Sequence, residues 1–372
     1  MNADVIVIGG GTVGSAIAYG LAQRSQRVIV LDGDDRDYRA ARANFGLIWV
    51  QGKGSNMPEY QIWSRQSSER WRDFAMGLTE LSGQDLQLEQ KGGLVFCLGN
   101  AEYETRRVAL QKLHNQTGSD TIDWEMIGRS QLEQLMPDVT FGPDVFGASF
   151  GRRDGHINPL RLLSALQAAI QKLSGTIVSS TRVQEIESNV SGFTVKTDAE
   201  TYGAPRVVIA AGLGSQTLGA QVGLDVPLRP QRGQILVTER LAPILPLPAS
   251  GLRQTGEGTI MIGATHEDVG LDVATTGAAA ATLSKRAMRI LPALASVTLV
   301  RQWAGLRVLT PDGCPVYAQS ESHPGAFIAL CHSGITLAAV HADIIAQAVI
   351  DGALPSSLDV FHSRRFDVPK AA

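Results

Sequence analysis

The sequence predicts an α/β fold in two parts: a Rossmann-like dinucleotide-binding domain and a second, α+β domain on a mostly antiparallel sheet. Three observations carry this. A strand, a glycine turn, a helix and a second strand open the chain between Asp4 and Asp32. A buried strand running straight into small residues returns at RVVIAAG, Arg206 to Gly212. The runs LQLEQKGGLVFCLG, RGQILVTER and GTIMIGATHED read instead as strands separated by polar turns, unlike the glycine-rich start. At 372 residues the chain exceeds what one core usually serves, so two domains are expected.

Asp4 to Ile8, DVIVI, is a β-branched run suited to the centre of a parallel sheet. Gly9, Gly11 and Gly14 follow as G-x-G-x-x-G, and Ser15 to Arg24 reads as a helix packed through Ile17, Ala18 and Leu21. The glycines permit a tight turn in which backbone N–H groups, those of Thr12 and Val13 included, approach a pyrophosphate that the helix N-terminus also attracts. The next strand, Val28 to Leu31, ends at Asp32, 18 residues after Gly14. A carboxylate there accepts from adenosine ribose hydroxyls, and an acid at this place argues against a 2′-phosphate and hence against NADP.

After Asp32 the polar run DGDDRDYRAARANFGLIWVQGKG replaces the crossover helix of an NAD domain. The chain leaves the sheet, which favours FAD over NAD. Asn44, Phe45 and Gly46 lie where a small-residue segment passes beneath a flavin ring, with Trp49 and Lys53 lining its far side. Arg36, Arg39 and Arg42 read as balancing Asp34, Asp35 and Asp37 in a solvated loop.

Asn158 is a good N-cap with Pro159 at the first helical position, and Leu160, Leu163, Leu166 and Ile170 keep helical spacing. Gly175 to Ser179 is the next expected parallel strand, followed by the alternating runs RVQEIES and GFTVKT of a small antiparallel meander. A final helix is expected to begin near Gly334-Ile335-Thr336 and to run through Ala346.

Composition narrows the partners. With 33 Lys+Arg against 36 Asp+Glu the net charge is −3, and no basic run suggests nucleic acid or an anionic membrane. Cys97, Cys314 and Cys331 are an odd number at wide spacing, which fits neither a disulfide framework nor a zinc site and indicates a reducing compartment. The apolar run Val5 to Ala22 is broken by Gly9, Gly10, Gly11 and Gly14, so no transmembrane segment is expected. The reading is of a soluble cytoplasmic protein, peripheral to a membrane only through a partner.

Together with WAGLRVLTPDGCPVY and ALCHSGITLAAVHADIIAQAVIDG near the C-terminus, these segments resemble the D-amino acid oxidase-like family of FAD-dependent amine oxidoreductases. That family includes glycine oxidase, sarcosine oxidase, D-amino acid dehydrogenases and the flavin subunits of opine oxidase and hydroxyproline dehydrogenase, and RANFGLIWVQGKG and ALCHSGITLAAVHA are most similar to those subunits. The resemblance implies a discontinuous, glutathione-reductase-type FAD-binding domain from residues 1–50, 145–225 and 300–372. Residues 51–144 and 226–299 would build the substrate domain. It also implies adenine-side backbone contacts at Val183, cofactor contacts at Ala211, Gly212 and Gly305, and a turn at Ser333, Gly334, Ile335 and Thr336 facing the pyrimidine edge of the flavin. Relatives with covalent flavin carry a cysteine where Gly305 stands, so FAD is expected to be non-covalent.

Amine oxidation by FAD asks the protein mainly for alignment of a C–H bond and a deprotonated amine. A carboxylate-bearing amine needs a handle, and Arg307 matches the position at which this family holds the substrate carboxylate. Its alternative is a structural pair with Asp312, which has its own use in capping the Pro311-Asp312-Gly313 turn. His266 is the candidate for the amine or a polar substituent, Trp49 a wall of the site, and Arg232 and Arg253 reserves for a second anion. Cys331 beside His332 reads as a small buried hydrophobe, because adjacent residues on a strand point apart. Oxidation of a 2-hydroxy acid, with His266 or His332 as base, is the rival chemistry. A subunit relaying electrons to partner subunits or an electron-acceptor protein is the rival role.

Overall fold

The structure, a computed structural model, describes residues 3–33, 40–117 and 122–367. Val5–Ile8 lies between two parallel neighbours, Val28–Leu31 and Arg206–Ile209. Among the described residues this sheet has six strands. Thr176–Val178 extends it in parallel beyond Val28–Leu31, and Ala326–Leu330 extends it in parallel beyond Arg206–Ile209. Val316–Gln319 closes that edge antiparallel. Every residue of Val5–Ile8 and Val28–Leu31 is buried, as the two-sided covering of a parallel sheet requires.

Helices cover one face: Thr12–Gln23, Pro58–Ser82, Pro159–Lys172 and the terminal Ala338–Asp351. The meander Val183–Asn189, Gly192–Thr197 and Thr201–Ala204 covers the other. The Asn158 cap forms as expected, its Oδ1 accepting from the N–H of Leu160 at 3.2 Å and of Arg161 at 3.3 Å. Thr12–Gln23 crosses the terminal helix so closely that a Cβ on Gly20 would overlap the carbonyl of Ala342.

The second part is built on two antiparallel sheets joined by a bridge between Leu94 and Ala249. One runs in the order Leu252–Gln254, Thr259–Gly263, Arg229–Arg240, Leu299–Leu309; the other holds Gly93–Leu98, Val145–Gly151 and Trp124–Gly128. Phe96, Phe141, Leu236 and Ile260 are among the residues of its own core.

Three segments sit differently from the expected boundaries. Val145–Gly151 and Leu299–Leu309, expected in the nucleotide-binding part, hydrogen-bond into the antiparallel sheets. Both are strands whose partners lie in the other part, and pairing outweighs chain proximity. Conversely, Pro58–Ser82, expected in the substrate part, packs Tyr60, Trp63, Trp71 and Leu78 into the core beneath the parallel sheet. The terminal helix also starts later than expected. Gly334 to Leu337 form a turn closed by Leu337 N–H on the Ser333 carbonyl at 3.0 Å, and regular helix begins at Ala338. The Thr336 carbonyl accepts from Ser67 Oγ at 2.7 Å and Trp71 Nε1 at 3.0 Å, so side chains occupy the acceptor that a regular helix would use for Val340. Among the described residues no single helix is long and apolar enough to cross a membrane.

Gly20→Ala should lower the free energy of unfolding by about 1–3 kcal/mol in a urea titration, because the helix crossing cannot admit a methyl. Gly83→Ala, at φ 75° with nothing near its Cβ, should cost only about 1 kcal/mol of backbone strain.

Candidate active site

The glycine turn after the first strand is tight at three of its four glycines. A Cβ on Gly9 would overlap the Ala210 carbonyl, and one on Gly14 the Gly9 carbonyl; one on Gly10 would lie 2.6 Å from the carboxyl carbon of Asp32. Gly11 alone is open, its nearest neighbour Ala41 Cβ at 3.8 Å. Gly9, Gly10 and Gly14 thus let helix and strands approach, while Gly11 leaves its backbone free to meet a ligand. Asp32, buried at the end of its strand, accepts from the Gly10 N–H at 2.8 Å, tying the acid to the turn. Thr12, at the start of the helix, is 5% exposed, and its Oγ1 has no hydrogen-bond partner among the described residues. A buried, unpartnered hydroxyl at a helix N-terminus beside an open glycine is a donor set for a phosphate oxygen. Asp34 to Arg39 lie outside the described residues.

Ala211 and Gly212 follow the strand Arg206–Ile209, and a Cβ on Gly212 would touch Val308 at 3.5 Å. Val183 begins the meander with its side chain in the core near Ile29 and Leu31. Asn44 Oδ1 accepts from the Gly46 N–H at 2.8 Å, and Gly46, at φ 89°, is pressed against Ile157. Phe45 is half-buried between them. Gly305 faces Ala43, whose Cβ a side chain at 305 would strike, and Trp303 Nε1 donates to the Ala43 carbonyl at 3.4 Å. The segment 43–46 therefore lies across the long strand Leu299–Leu309.

The C-terminal turn meets this segment. Thr336 Oγ1 accepts from the Trp49 N–H at 3.0 Å. A Cβ on Gly334 would touch Val13, 3.4 Å from its Cγ2, and Ile335 is buried in the core. Ser333 Oγ receives Lys53 Nζ at 2.5 Å and Tyr60 OH at 2.6 Å. Burial pushes the Lys53 ammonium down to about 8 and the Cys331 thiol up to about 12, so Cys331 holds its proton and behaves as a small hydrophobe.

Arg307 is half-buried over Gly233, donating through Nη1 to the carbonyls of Thr265 at 2.9 Å and Arg232 at 3.4 Å. Burial lowers its pKa, and among the described residues no carboxylate pairs with it. The structural pair with Asp312 is not formed. Asp312 instead holds Arg365, 2.8 Å from its Nε, and caps its own turn through the Cys314 N–H at 3.0 Å. Arg232 is likewise not in reserve for a ligand anion, since Glu267 at 2.6 Å and Asp272 at 2.5 Å occupy it. Arg253 is buried against His156 and Met261.

His266 is exposed at its edge, 3.0 Å from Gln231 Oε1, and the protein atoms beside its ring and the charge of Arg307 lower its pKa. His332 is exposed at its edge, and the protein atoms crowding its ring and the positive charges of Lys53, Arg307 and His266 lower its pKa. Lys53, Arg307 and His266 are thus all near enough to His332 to act on its charge. Sequence reading missed the helix that holds this assembly: Tyr60, Ser64, Ser67 and Trp71 recur at i, i+4, i+7 and i+11, one face of Pro58–Ser82, and three of them bind the C-terminal turn. That spacing was legible, and its target was not. Among the described residues no cluster of His, Cys, Asp or Glu could hold a metal ion.

A parallel sheet with an open glycine turn at the carboxyl end of a central strand, beside an antiparallel part that carries Arg307 and His266, is the architecture of a dinucleotide-dependent oxidoreductase. The chain belongs to the FAD dependent oxidoreductase (DAO) family, whose pattern matches residues 4–348. It is 43% identical to the B component of the opine oxidase of Rhizobium meliloti over 368 residues, 99% of each chain. It is 30% identical to the hydrogen cyanide synthase subunit HcnC of Pseudomonas protegens, covering 98% of this chain and 96% of that one. The crystal structure of glycine oxidase from Geobacillus kaustophilus superposes with a TM-score of 0.89 at 25% identity, over 99% of this chain and 100% of that one. The protein is thus an FAD-dependent oxidoreductase.

Asp312→Ala, which unties Arg365 and the turn at Cys314, should cost about 1–3 kcal/mol of stability in a denaturant titration. Binding of a carboxylated ligand should survive it, since Arg307 does not lean on Asp312.

Proposed function

We propose that this chain oxidises the C–N bond of an amino acid or N-substituted amino acid whose carboxylate is held by Arg307. The observation that carries the reading is a half-buried guanidinium with no acidic partner among the described residues, on the strand crossed by segment 43–46. A guanidinium in that state gains a partner when a carboxylate arrives, and its planar fork orients the substrate as an ammonium would not. The likeness to proteins named as an opine oxidase component and as glycine oxidase supports a substrate of this kind.

FAD would be held by the backbone of Gly9, Gly11, Thr12, Val13 and Gly14 with Thr12 Oγ1 on its phosphates, by Asp32 on its ribose, and by Ser333 to Thr336 at its ring. Val183, Ala211, Gly212 and segment 44–46 would flank it. When bound, FAD supplies the acceptor for the hydride from the carbon bearing nitrogen, and the resulting imine hydrolyses in water. His266 and His332, both with lowered pKa, stay neutral at pH 7 and would hydrogen-bond the substrate amine without holding its proton. Trp49 would wall the space in which the amine sits. Two of the relatives are named as subunits of larger enzymes, which supports assembly with partner subunits or an electron-acceptor protein.

Anaerobic mixing of the FAD-loaded protein with amino acids, N-carboxyalkyl amino acids and 2-hydroxy acids tests the reading by bleaching of the flavin near ~450 nm, a band common to flavoproteins. Bleaching by hydroxy acids alone would overturn it. Arg307→Lys should weaken carboxylated substrates by about a hundredfold, the worth of a charge-assisted bidentate contact, with FAD content unchanged. Thr12→Val should weaken FAD binding by about tenfold. Acid precipitation should release the flavin into the supernatant, because Gly305 offers no thiol.

A further inference from the structure

We propose that Lys53 and Tyr60 polarise Ser333 so that its hydroxyl donates to the polar edge of bound FAD, making Lys53 a positioning residue that sets the cofactor's electron affinity. The proposal begins at one oxygen. Ser333 Oγ accepts from Lys53 Nζ at 2.5 Å and from Tyr60 OH at 2.6 Å. Two bonds use both lone pairs of a hydroxyl, so its own proton remains to be donated. Ser333 is only 6% exposed, and among the described residues nothing accepts that proton. The N–H groups of Gly334, Ile335 and Thr336 next to it also lack acceptors among the described residues. Four donors lie on four consecutive residues, and their natural partner is an electron-rich, partly anionic edge.

Lys53 is held there by the backbone around it. Fully buried Asp154 accepts from the N–H groups of Val50 at 2.6 Å and Gln51 at 3.2 Å, and the Lys53 N–H closes the turn on the Val50 carbonyl at 3.1 Å. The ionisable groups that face the ammonium are Tyr60, Asp154, Cys314, Cys331 and His332. Of these only Asp154 is acidic, and it is occupied by backbone and by Gln51. Burial lowers Lys53 to about 8, so its charge persists at pH 7. A cation relayed through a short hydroxyl bond favours the reduced, more negative cofactor and strengthens any anion added to the oxidised ring.

Sulfite, which adds to oxidised flavin, is the probe, together with the reduction potential of the FAD-loaded protein. Lys53→Met should weaken sulfite by about tenfold or more and shift the potential downward. Ser333→Ala should act in the same direction, and Lys53→Arg should stay near the parent in both measures. Unchanged sulfite affinity and potential in Lys53→Met overturn the proposal. Should Lys53→Met release FAD, Ser333→Ala decides alone, and parent-like values there overturn it. Neither measurement uses substrate, so the outcome is independent of the substrate proposed above.

Discussion

The site depends on a knot at Thr336. Its side-chain oxygen takes the N–H of Trp49, and its carbonyl takes Ser67 Oγ and Trp71 Nε1. One residue thereby ties together the segment after the glycine turn, the long helix Pro58–Ser82 and the start of the terminal helix. The knot delays regular helix to Ala338 and leaves a turn whose N–H groups are not consumed by helical bonding. Without it, the terminal helix would still cover the sheet, through Gly20 and Ala342, but Ser333 and Gly334 would lose their place beside Lys53 and Val13.

A second constraint is electrostatic. Lys53, Arg307 and His266 lie close enough to act on His332, while the nearby carboxylates are occupied elsewhere: Asp312 by Arg365, Glu267 by Arg232, Asp154 by backbone. Burial and the surrounding cations lower the pKa of the histidines, which keeps the imidazoles neutral, and the guanidinium stays ready for a carboxylate. The same imbalance suits a cofactor that gains negative charge on reduction. In the proposed reading, substrate handle and cofactor environment are two uses of one field.

The two domains meet where close packing leaves no room for side chains. Gly305 against Ala43 seats the segment after the first βαβ unit on the antiparallel sheet, and Gly46 against Ile157 packs the same segment on the core beneath the parallel sheet. Glycine at these positions is a requirement of approach between backbones, not of turn geometry alone. Trp303 adds a hydrogen bond to the same segment.

Local chemistry made much of this legible from the chain alone. The βαβ start, the glycine turn, the acid at 32, the Asn158 cap and the oxidoreductase family all rest on contacts within a few tens of residues or on motifs that carry their own mechanism. The partner of Arg307 was not legible. Asp312 lies five residues away in sequence, yet Arg365 reaches it from the C-terminal end and takes it, and only the folded chain decides between them. The assignment of Val145–Gly151 and Leu299–Leu309 to antiparallel sheets, and the convergence of Lys53, Tyr60 and Ser333, are of the same kind. Residue type and short spacing determine which elements and which chemistry the chain can form. Pairing between segments hundreds of residues apart is decided by strand registry, close approach and competition for each charge, and these exist only in the tertiary structure.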